Sequence, residues 1–492
     1  MHKYFTKIHL IVLIASFCFW GCTKKEVQQD LEPKTNIIFI LADDLGYGDL
    51  GFLGQQYIET PNIDRLAKEG IFFTNHYSGA TVCAPSRSSL LTGLHTGHTP
   101  IRGNVSVEPE GQYPLTDTIP SMGKVLQEAG YTTGGFGKWG LGFIGTVGDP
   151  NRQGFHEFYG YNCQSQAHRY YPGHLWHNEE KVILEGNGWT EKTTYAPDLI
   201  QQQTISFIEE NKNKPFFLFM PIVMPHAELA APEDEILQKY REKFGEEKAY
   251  PVREGSEYGP DMRIGAYQSQ PYPHATFAAM VQRIDSYVGE VLDKLDELGL
   301  SENTLIVFAS DNGAHKEGGA DPDFFDSNGI FRGHKRDLYE GGIRTPMLVR
   351  WPAKVKPGSQ SDHISAFWDL LPTFAEVAEV NSPKGIDGIS FLPTLIGQDN
   401  AQKEHDYLYW EFHEQGGKQA VRKQNWKAVK LEVFSGEKPT LELYDLSADP
   451  SEQNNVAASY PELMKEMEQL MKESHRPNPI FTFYKEEKLA EE

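Results

Sequence analysis

The chain has 492 residues, and its 46 Lys and Arg against 69 Asp and Glu give a formal charge of −23. So acidic a chain is not a cationic nucleic-acid binder, and no nucleic acid is expected as a partner. Hydrophobic residues at 39% and aromatic residues at 12% exclude a disordered or fibrous protein. They indicate a globular protein with one large domain and a smaller one.

The N-terminus has the pattern of an export signal followed by a tether. The apolar stretch over 8–20 is too short to cross a bilayer but suits a signal-peptide core. A glycine directly before Cys22 resembles the bacterial lipoprotein signal, although Phe19 stands where that signal usually has Leu. We therefore expect a signal peptide over 1–21, lipidation with palmitate at Cys22, and a tether over 22–34. The protein would sit in the bacterial cell envelope, touching the membrane only through this anchor; a plain secretory signal is the alternative.

Three continuous apolar runs predict strands that are buried on both faces, over 36–42, 215–224 and 304–310. Helical patterns, with apolar residues three and four apart, lie over 62–69, 121–129, 196–211 and 277–298. Strands that alternate with helices predict an α/β domain with a large mixed, mainly parallel sheet flanked by helices. Ligands bind such sheets outside the carboxyl ends of the strands.

The sequence changes character from about residue 399. Short alternating segments over 407–412, 419–422, 426–431 and 441–444 precede a helical pattern over 461–474. These predict a smaller α+β domain with a short antiparallel sheet. The expected organisation is a catalytic domain over 35–398 and a C-terminal subdomain over 399–492.

Acidic and amide side chains stand directly after two of the predicted strands. Asp43 and Asp44 follow the first strand, and Asp311 and Asn312 follow the third. Such oxygen ligands suit Ca²⁺, or less well Mg²⁺, and not zinc. Adjacent aspartates are also common in turns, so the alternative is that the pair only ends a strand or caps a helix. The repeated layout favours the metal site.

The most specific segment is CAPSR at 83–87, followed by LTG at 91–93. The cysteine precedes a proline suited to the first turn of a helix, so an anion near Cys83 would meet the positive end of that helix. The alternative is a packing cysteine, which is the usual role of a free cysteine. Four cysteines are too few for a disulfide framework, and we interpret Cys163 as structural.

The segment that begins at Cys83 resembles the signature of the type I sulfatases, the formylglycine-dependent, arylsulfatase-like members of the alkaline phosphatase superfamily. The resemblance extends over about residues 35–475, because further motifs follow in the family's order. These are Asp43-Asp44, Gly137-Lys138-Trp139, His226, Asp311-Asn312-Gly313 and Arg332-Gly-His-Lys335, which leads into 340–346.

The resemblance implies that a separate maturation enzyme oxidises Cys83 to formylglycine, whose hydrated aldehyde is the nucleophile. That partner would be a formylglycine-generating enzyme or an anaerobic sulfatase-maturing enzyme. The resemblance also implies a single Ca²⁺ bound by Asp43, Asp44, Asp311, Asn312 and the residue formed from Cys83.

The resemblance assigns a role to each of the basic residues. Arg87 would hold the nucleophile in position, while Lys138 and Lys335 would neutralise the sulfate oxygens. His226 would act as general acid to the leaving oxygen or contact the sulfate. Each could instead be an ordinary surface or strand-end residue. Because they occur together, in the family's order and at strand ends, the sequence favours the interpretation that they form the active site.

One position departs from the family pattern. Gly140 stands where the family usually has a histidine that binds the nucleophile's second hydroxyl and breaks the covalent intermediate. Our candidate replacement is His168, in a segment dense in polar and aromatic residues. The alternative is a loop histidine with no catalytic part.

The expected substrate is a sulfated oligosaccharide, cut from the chain end, from an algal polymer such as ulvan or sulfated galactan or from a glycosaminoglycan. Two other functions stay open: a phosphatase or phosphodiesterase of the same fold, and a catalytically weak glycan-binding surface protein. Substrate-binding candidates are His168, Arg169 and Tyr171 in the polar and aromatic segment, and His413 and Arg422 in the C-terminal subdomain.

Overall fold

The structure is a computed structural model that describes residues 33–108, 110–187, 191–253, 266–434, 439–484 and 487. The predicted signal peptide, most of the tether and the lipidation residue Cys22 lie outside these ranges. From Lys34 onward the chain forms one compact unit. Within the described ranges, no helix is both long enough and apolar enough to cross a bilayer.

The elements are labelled here in chain order. The strands are β1 Asn36–Asp43, β2 Ile71–Phe73, β3 His76–Tyr77, β4 Ser106–Val107, β5 Gly111–Gln112, β6 Thr132–Lys138, β7 Glu157–Tyr161, β8 His174–His177, β9 Glu180–Ile183, β10 Phe216–Pro225, β11 Thr304–Ser310, β12 Met347–Arg350, β13 Ser359–Ser361, β14 Ser365–Ala366, β15 Leu408–Phe412, β16 Lys418–Lys423, β17 Trp426–Leu431 and β18 Thr440–Asp445. The helices are α1 Pro61–Glu69, α2 Cys83–Thr92, α3 Met122–Glu128, α4 Ala196–Asn211, α5 Glu235–Phe244, α6 Pro273–Glu297, α7 Pro322–Phe325, α8 Glu340–Ile343, α9 Leu370–Val377, α10 Leu392–Leu395 and α11 Pro461–Ser474.

The large sheet has the strand order β13-β2-β12-β11-β1-β10-β6-β7-β8-β9. Its centre is parallel: β1 lies between β10 and β11, and β6 and β7 continue the parallel part beyond β10. Towards the edges β12, β8 and β9 pair antiparallel with their neighbours. The predicted large, mixed and mainly parallel sheet is therefore confirmed, and its three apolar runs are the central strands.

The central strands are apolar throughout because both faces of the sheet are covered by helices. In β1 the side chains alternate, so Ile38 and Ile40 join the core under α4 and α6, while Ile37 and Phe39 join the core under α2 and α9. All four side chains are fully buried. Burial of such a side chain typically contributes about 1.5–3 kcal/mol to stability, so these strands are a rigid base for the loops at their ends.

The predicted short antiparallel sheet with its helix is also confirmed. Strands β15 to β18 are neighbours in chain order, and α11 packs on one face through residues such as Met467 against Tyr409. The other face, with Trp410, packs against Tyr77 and Trp368 from the preceding part of the chain. The predicted domain boundary between residues 398 and 399 stays a prediction.

A buried carboxylate joins α1 to α6. Asp285 of α6 accepts hydrogen bonds from the backbone N–H groups of Asn62 and Ile63 at 2.8 and 2.7 Å and from the Asn62 side chain at 2.9 Å. These donors belong to the first turn of α1, whose N–H groups have no partner inside the helix. Asp285 therefore caps α1 from a neighbouring helix.

We expect Asp285→Ala to lower the free energy of unfolding by about 2–4 kcal/mol, because it leaves buried donors without an acceptor. Urea denaturation followed by circular dichroism measures this. The matched control is Asp293→Ala in the same helix, whose side chain is exposed and pairs with Arg65, and which should change stability by less than about 0.5 kcal/mol. Equal losses in the two variants would contradict the capping role.

Candidate active site

The strand register brings the predicted polar residues to one edge of the sheet. Asp43 pairs with Pro225, directly before His226, and Ala42 pairs with Ser310, directly before Asp311. The Asp311 backbone N–H also donates to the Ala42 carbonyl at 3.0 Å. These side chains therefore meet at the carboxyl ends of β1, β10 and β11, as the sequence predicted.

Cys83 is the first residue of α2 and is fully buried. Its thiol donates to Asp43 Oδ1 at 3.2 Å and lies 4.0 Å from Asp44 Oδ1. Burial, reinforced by the charge of Asp43, raises the pKa of the Cys83 thiol well above its ordinary value. The unmodified residue is therefore a neutral thiol and a poor nucleophile, although it lies at the helix end where an anion is stabilised.

Arg87, one turn further along α2, is a buried junction between three elements. Its Nε and Nη2 donate to Asp311 Oδ2 at 3.1 and 2.9 Å, and its Nη1 donates to the Lys138 carbonyl at 2.5 Å. Nη2 also lies 3.6 Å from Asp43 Oδ2. The guanidinium therefore fixes the start of α2 relative to the ends of β6 and β11.

Two buried lysines bring positive charge to the same place. Lys138 Nζ donates to Asp43 Oδ2 at 2.6 Å. Lys335 Nζ donates to Asp44 Oδ2 at 2.8 Å and to His226 Nε2 at 2.9 Å. Burial lowers the pKa of each lysine, but the adjacent aspartate and the other acidic groups nearby together outweigh burial and raise the pKa above its ordinary value. Both lysines are therefore charged and can neutralise an anion.

The carboxylate cluster fits a divalent cation with oxygen ligands. Burial and the charge of Asp43 raise the pKa of Asp311 to about 7, although Arg87 acts in the opposite direction. Asn312 donates through Nδ2 to Asp44 Oδ1 at 2.7 Å, while its Oδ1 is buried without a hydrogen-bond partner in the described structure. An orphaned amide oxygen beside carboxylates suits Ca²⁺ or Mg²⁺.

His226 lies in a stack of imidazole rings. The centroid of the His168 ring is 4.4 Å from that of His226, with 5° between the ring planes. The centroid of the His315 ring is 5.7 Å from that of His226, with 14° between the ring planes. His226 Nδ1 donates to the Ala227 carbonyl, so its Nε2 faces Lys335 and lies 3.3 Å from Asp44 Oδ2. Burial lowers the pKa of His226 and of His168, which favours neutral rings.

The structure brings His168 into the site through this stack. Its Nε2 is buried and has no hydrogen-bond partner within the described residues. Its ring contacts are to His226 and Tyr267. The prediction that His168 replaces a histidine at position 140 stays a prediction, since these contacts do not reach Cys83.

Gly140 itself faces a different side chain, which sequence reasoning missed. A Cβ built at Gly140 would lie 3.6 Å from Gln164 Oε1, and that oxygen is buried without a partner in the described part of the chain. Gly140 also has a φ of +70°, which disfavours a side chain there. Gln164 therefore occupies the space towards which a side chain at 140 would point.

The other predicted substrate-binding residues have structural partners. Arg169 pairs with Glu228 at 2.5 Å in the interior, and Tyr171 packs against Tyr195. His413 Nε2 donates to the Phe481 carbonyl at 3.0 Å. Arg422 donates to the Tyr77 hydroxyl and lies 3.4 Å from Asn75 Oδ1. His413 and Arg422 are thus engaged beside the small sheet, and the structure does not bring them to Cys83.

Two further residues at the site had not been singled out from the sequence. Glu317 Oε2 accepts from Lys335 Nζ at 3.0 Å and lies 3.7 Å from His226 Nε2. Tyr267 donates its hydroxyl to the same Glu317 oxygen at 3.4 Å. In the sequence, only the position of Glu317 five residues after Asn312 suggests that it could lie near the site.

The site combines a helix N-terminus, buried cations, a carboxylate cluster and a histidine, which together define a hydrolase of anionic esters. A family model described as Sulfatase matches residues 35–380, and a second, described as N-sulphoglucosamine sulphohydrolase, C-terminal, matches residues 328–477. The chain belongs to the sulfatase family, as the resemblance implied, and is a sulfuric ester hydrolase. Members of this family use a formylglycine and a divalent metal.

Relatives and solved structures agree with this assignment. The N-acetylgalactosamine-6-O-sulfatase of Bacteroides thetaiotaomicron is 30% identical over 92% of this chain and 95% of its own. The N-acetylglucosamine-6-O-sulfatase of the same organism is 28% identical over 95% of this chain and 90% of its own. The crystal structure of Ps i-CgsB in complex with k-i-k-neocarrahexaose is 29% identical, with a TM-score of 0.73 over 93% of this chain and 96% of that chain.

Proposed function

We propose that this chain hydrolyses sulfate esters of carbohydrates, acting at the chain end of fragments from sulfated polysaccharides such as glycosaminoglycans or sulfated galactans. The observation that carries the proposal is the position of Cys83, at the start of α2 and 3.2 Å from Asp43. The names of the relatives support a carbohydrate substrate. Because the site residues are almost fully buried, a terminal sugar reaches them more easily than the middle of a polymer does.

The proposed nucleophile is the residue that a maturation enzyme makes from Cys83 by oxidising it to formylglycine. A sulfate ester has oxygens that repel a nucleophile and a poor leaving group, so the site has to supply positive charge and a proton. Asp43, Asp44, Asp311 and Asn312 would hold the cation, for which we propose Ca²⁺. When bound, the cation polarises the sulfate and lowers the pKa of the nucleophilic hydroxyl.

The protein's own side chains supply the remaining functions. Arg87 holds the nucleophile's helix in place through its bonds to Asp311 and the Lys138 carbonyl. Lys138 and Lys335 neutralise the sulfate oxygens. His226 Nε2 accepts from the Lys335 ammonium group at 2.9 Å, so a proton that Lys335 passes to this atom can go on to the leaving oxygen. General acid catalysis of this kind typically accelerates a reaction by roughly 10²–10⁴-fold.

The geometry supports a sulfatase more than a two-metal phosphatase of the same fold. Lys335 Nζ lies between Asp44 and Glu317, 2.8 and 3.0 Å from their carboxylate oxygens. An ammonium group thus occupies the place that a second cation would need. A sulfate monoester carries one negative charge where a phosphate monoester carries close to two at neutral pH, so a site with less positive charge suits the sulfate.

The cell-envelope location and the lipid anchor at Cys22 are also proposals, supported by the N-terminal sequence alone. The anchor would hold a catalytic domain with a short tether at a membrane surface. There it would meet oligosaccharides that enter the envelope.

The test is a desulfation screen with the full chain produced in a host that contains a sulfatase-maturing enzyme. We expect sulfate release, measured by ion chromatography, from at least one sulfated mono- or oligosaccharide, among them 6-O-sulfated N-acetylgalactosamine, 6-O-sulfated N-acetylglucosamine and carrageenan fragments. Hydrolysis of para-nitrophenyl phosphate should be at least about 10²-fold slower than that of para-nitrophenyl sulfate. Tight glycan binding without release of sulfate would contradict the proposal and favour a binding protein.

A further inference from the structure

Among the residues that the structure describes, the site contains one carboxylate that the hydrolysis of a sulfate ester does not call for. Asp43, Asp44 and Asp311 are buried ligand candidates for the cation, with at most 1% of their surface exposed. The Glu317 side chain contacts Lys335 and His226, as Asp44 does, but is 20% exposed. It therefore forms part of the mouth of the site, on the side of Lys335 and His226.

Glu317 is firmly held in this position. Its Oε2 is 3.0 Å from Lys335 Nζ and 3.4 Å from the Tyr267 hydroxyl, and its Oε1 accepts from Arg336. Burial raises the pKa of Glu317, but the charge of Lys335 and of its other cationic neighbours outweighs burial and lowers it. The residue is thus an ionised, oriented acceptor.

A second metal site does not account for Glu317. Asp44, His315 and Glu317 have ligand atoms close enough together to hold an ion. However, both His315 nitrogens are engaged: Nε2 donates to the Pro225 carbonyl at 3.1 Å and Nδ1 accepts from the Glu317 backbone N–H at 3.2 Å. The Lys335 ammonium group lies between the two carboxylates.

A negative charge beside Lys335 weakens the binding of a sulfate anion, so Glu317 needs another reason to be there. The leaving group of the reaction carries hydroxyl and amide N–H donors if it is a sugar, and a fixed carboxylate accepts from such donors in charge-assisted hydrogen bonds. The adjacent Tyr267 adds an aromatic ring at the mouth, with its centroid 5.8 Å from His168 and 6.4 Å from His226. Aromatic rings beside polar acceptors suit the mixed faces of a sugar ring.

We propose that Glu317, supported by Tyr267, binds the sugar that bears the sulfate, by accepting a hydrogen bond from a hydroxyl or acetamido N–H next to the sulfated position. Glu317 thus selects the carbohydrate, whereas the two lysines select the sulfate. This inference rests on the proposed function, because it needs a sugar as the leaving group.

The experiment measures binding rather than turnover, in the inactive Cys83→Ala chain, with isothermal titration calorimetry. The two probes are inorganic sulfate and the sulfated monosaccharide that the wild-type enzyme desulfates fastest, with 6-O-sulfated N-acetylgalactosamine as the first choice. With Glu317→Gln added, we expect the sulfated sugar to bind about tenfold or more weakly, because a charge-assisted hydrogen bond becomes a neutral one. Inorganic sulfate should bind as tightly as before or more tightly, because the neighbouring negative charge is gone.

The difference between these two effects separates sugar binding from a structural role. A residue that only positions Lys335 would weaken both ligands in parallel on replacement, and that result would overturn the proposal, as would an unchanged affinity for the sugar. The matched control is Glu414→Gln. Glu414 Oε2 lies 3.4 Å from Arg336 Nε, so this variant also removes a carboxylate charge beside Arg336, but it leaves the Lys335–Glu317 pair in place. It should change neither affinity by more than about twofold.

The proposal and the proposed function fail in different ways. If the wild-type enzyme releases sulfate from no sugar in the screen, the function is wrong. If it does release sulfate and Glu317→Gln binds the sulfated sugar normally, only the role of Glu317 is wrong.

Discussion

Replacing Cys83 by serine is expected to remove turnover almost completely, by more than about 10⁴-fold, when the variant is produced in a host without a serine-converting maturation enzyme. A serine hydroxyl cannot become the aldehyde by that host's cysteine oxidation, so the proposed nucleophile never forms. The variant should fold normally, because serine is nearly the size of cysteine and can donate to Asp43, which the thiol does at 3.2 Å. Sulfate release from the best substrate of the screen measures the loss, and circular dichroism checks the fold.

The other described cysteine gives the control for this experiment. Cys163 is buried and lies 4.0 Å from the Gly111 carbonyl, outside the cluster around Cys83. Cys163→Ser should keep turnover within about threefold of wild type. Mass spectrometry of the active wild-type chain should find formylglycine at residue 83. Wild-type rates in Cys83→Ser, or unmodified cysteine in active material, would overturn the assigned nucleophile.

The centre of the fold was predictable because its strands are buried on both faces. The runs at 36–42, 215–224 and 304–310 contain little but apolar residues, and they became β1, β10 and β11. The outer strands were not foreseen, since they are short, and polar segments such as Ser359–Ser361 have no hydrophobic pattern. The spatial order of the strands depends on how the helices pack across the sheet, which local patterns do not contain.

The site was predictable where residues follow strand ends. Asp43, Asp44, His226 and Asp311 lie together because parallel strands end at the same edge, so their meeting follows from the strand assignment. Glu317 and Tyr267 lie in loops, where a Glu or a Tyr is no different in sequence from a solvated one. Only the folded chain shows that Glu317 accepts from Lys335 and that Tyr267 donates to Glu317.

Two residues of the C-terminal subdomain were predicted to bind the substrate, but the structure places them away from Cys83. Arg422 and His413 have the right chemistry for binding a sugar, but composition does not tell in which direction a strand side chain points. Arg422 lies on the side of β16 that faces Tyr77, and its guanidinium donates to that hydroxyl. A one-residue difference in register exchanges the two faces of a strand, so such assignments need the structure.

Replacing Asp311 by alanine is the second change with a large expected effect, because this carboxylate serves two partners. It is a proposed cation ligand, and its Oδ2 accepts two hydrogen bonds from Arg87, at 3.1 and 2.9 Å. We expect Asp311→Ala to lower turnover by on the order of 10³-fold. It should also destabilise the protein by about 3–5 kcal/mol, because the buried Arg87 charge loses its strongest partner.

Two further variants separate the cation from the ion pair. Asp311→Asn keeps an acceptor for Arg87 but loses the charge, so it should recover part of the stability and little of the turnover. Glu452→Ala breaks another fully buried pair, with Lys427 at 3.0 Å, and should lose stability while its metal content and its turnover stay at the wild-type level. Calcium content by atomic emission, urea denaturation and sulfate release measure the three effects. If Asp311→Ala retained one calcium per chain and the wild-type rate, the carboxylate cluster would not be the cation site.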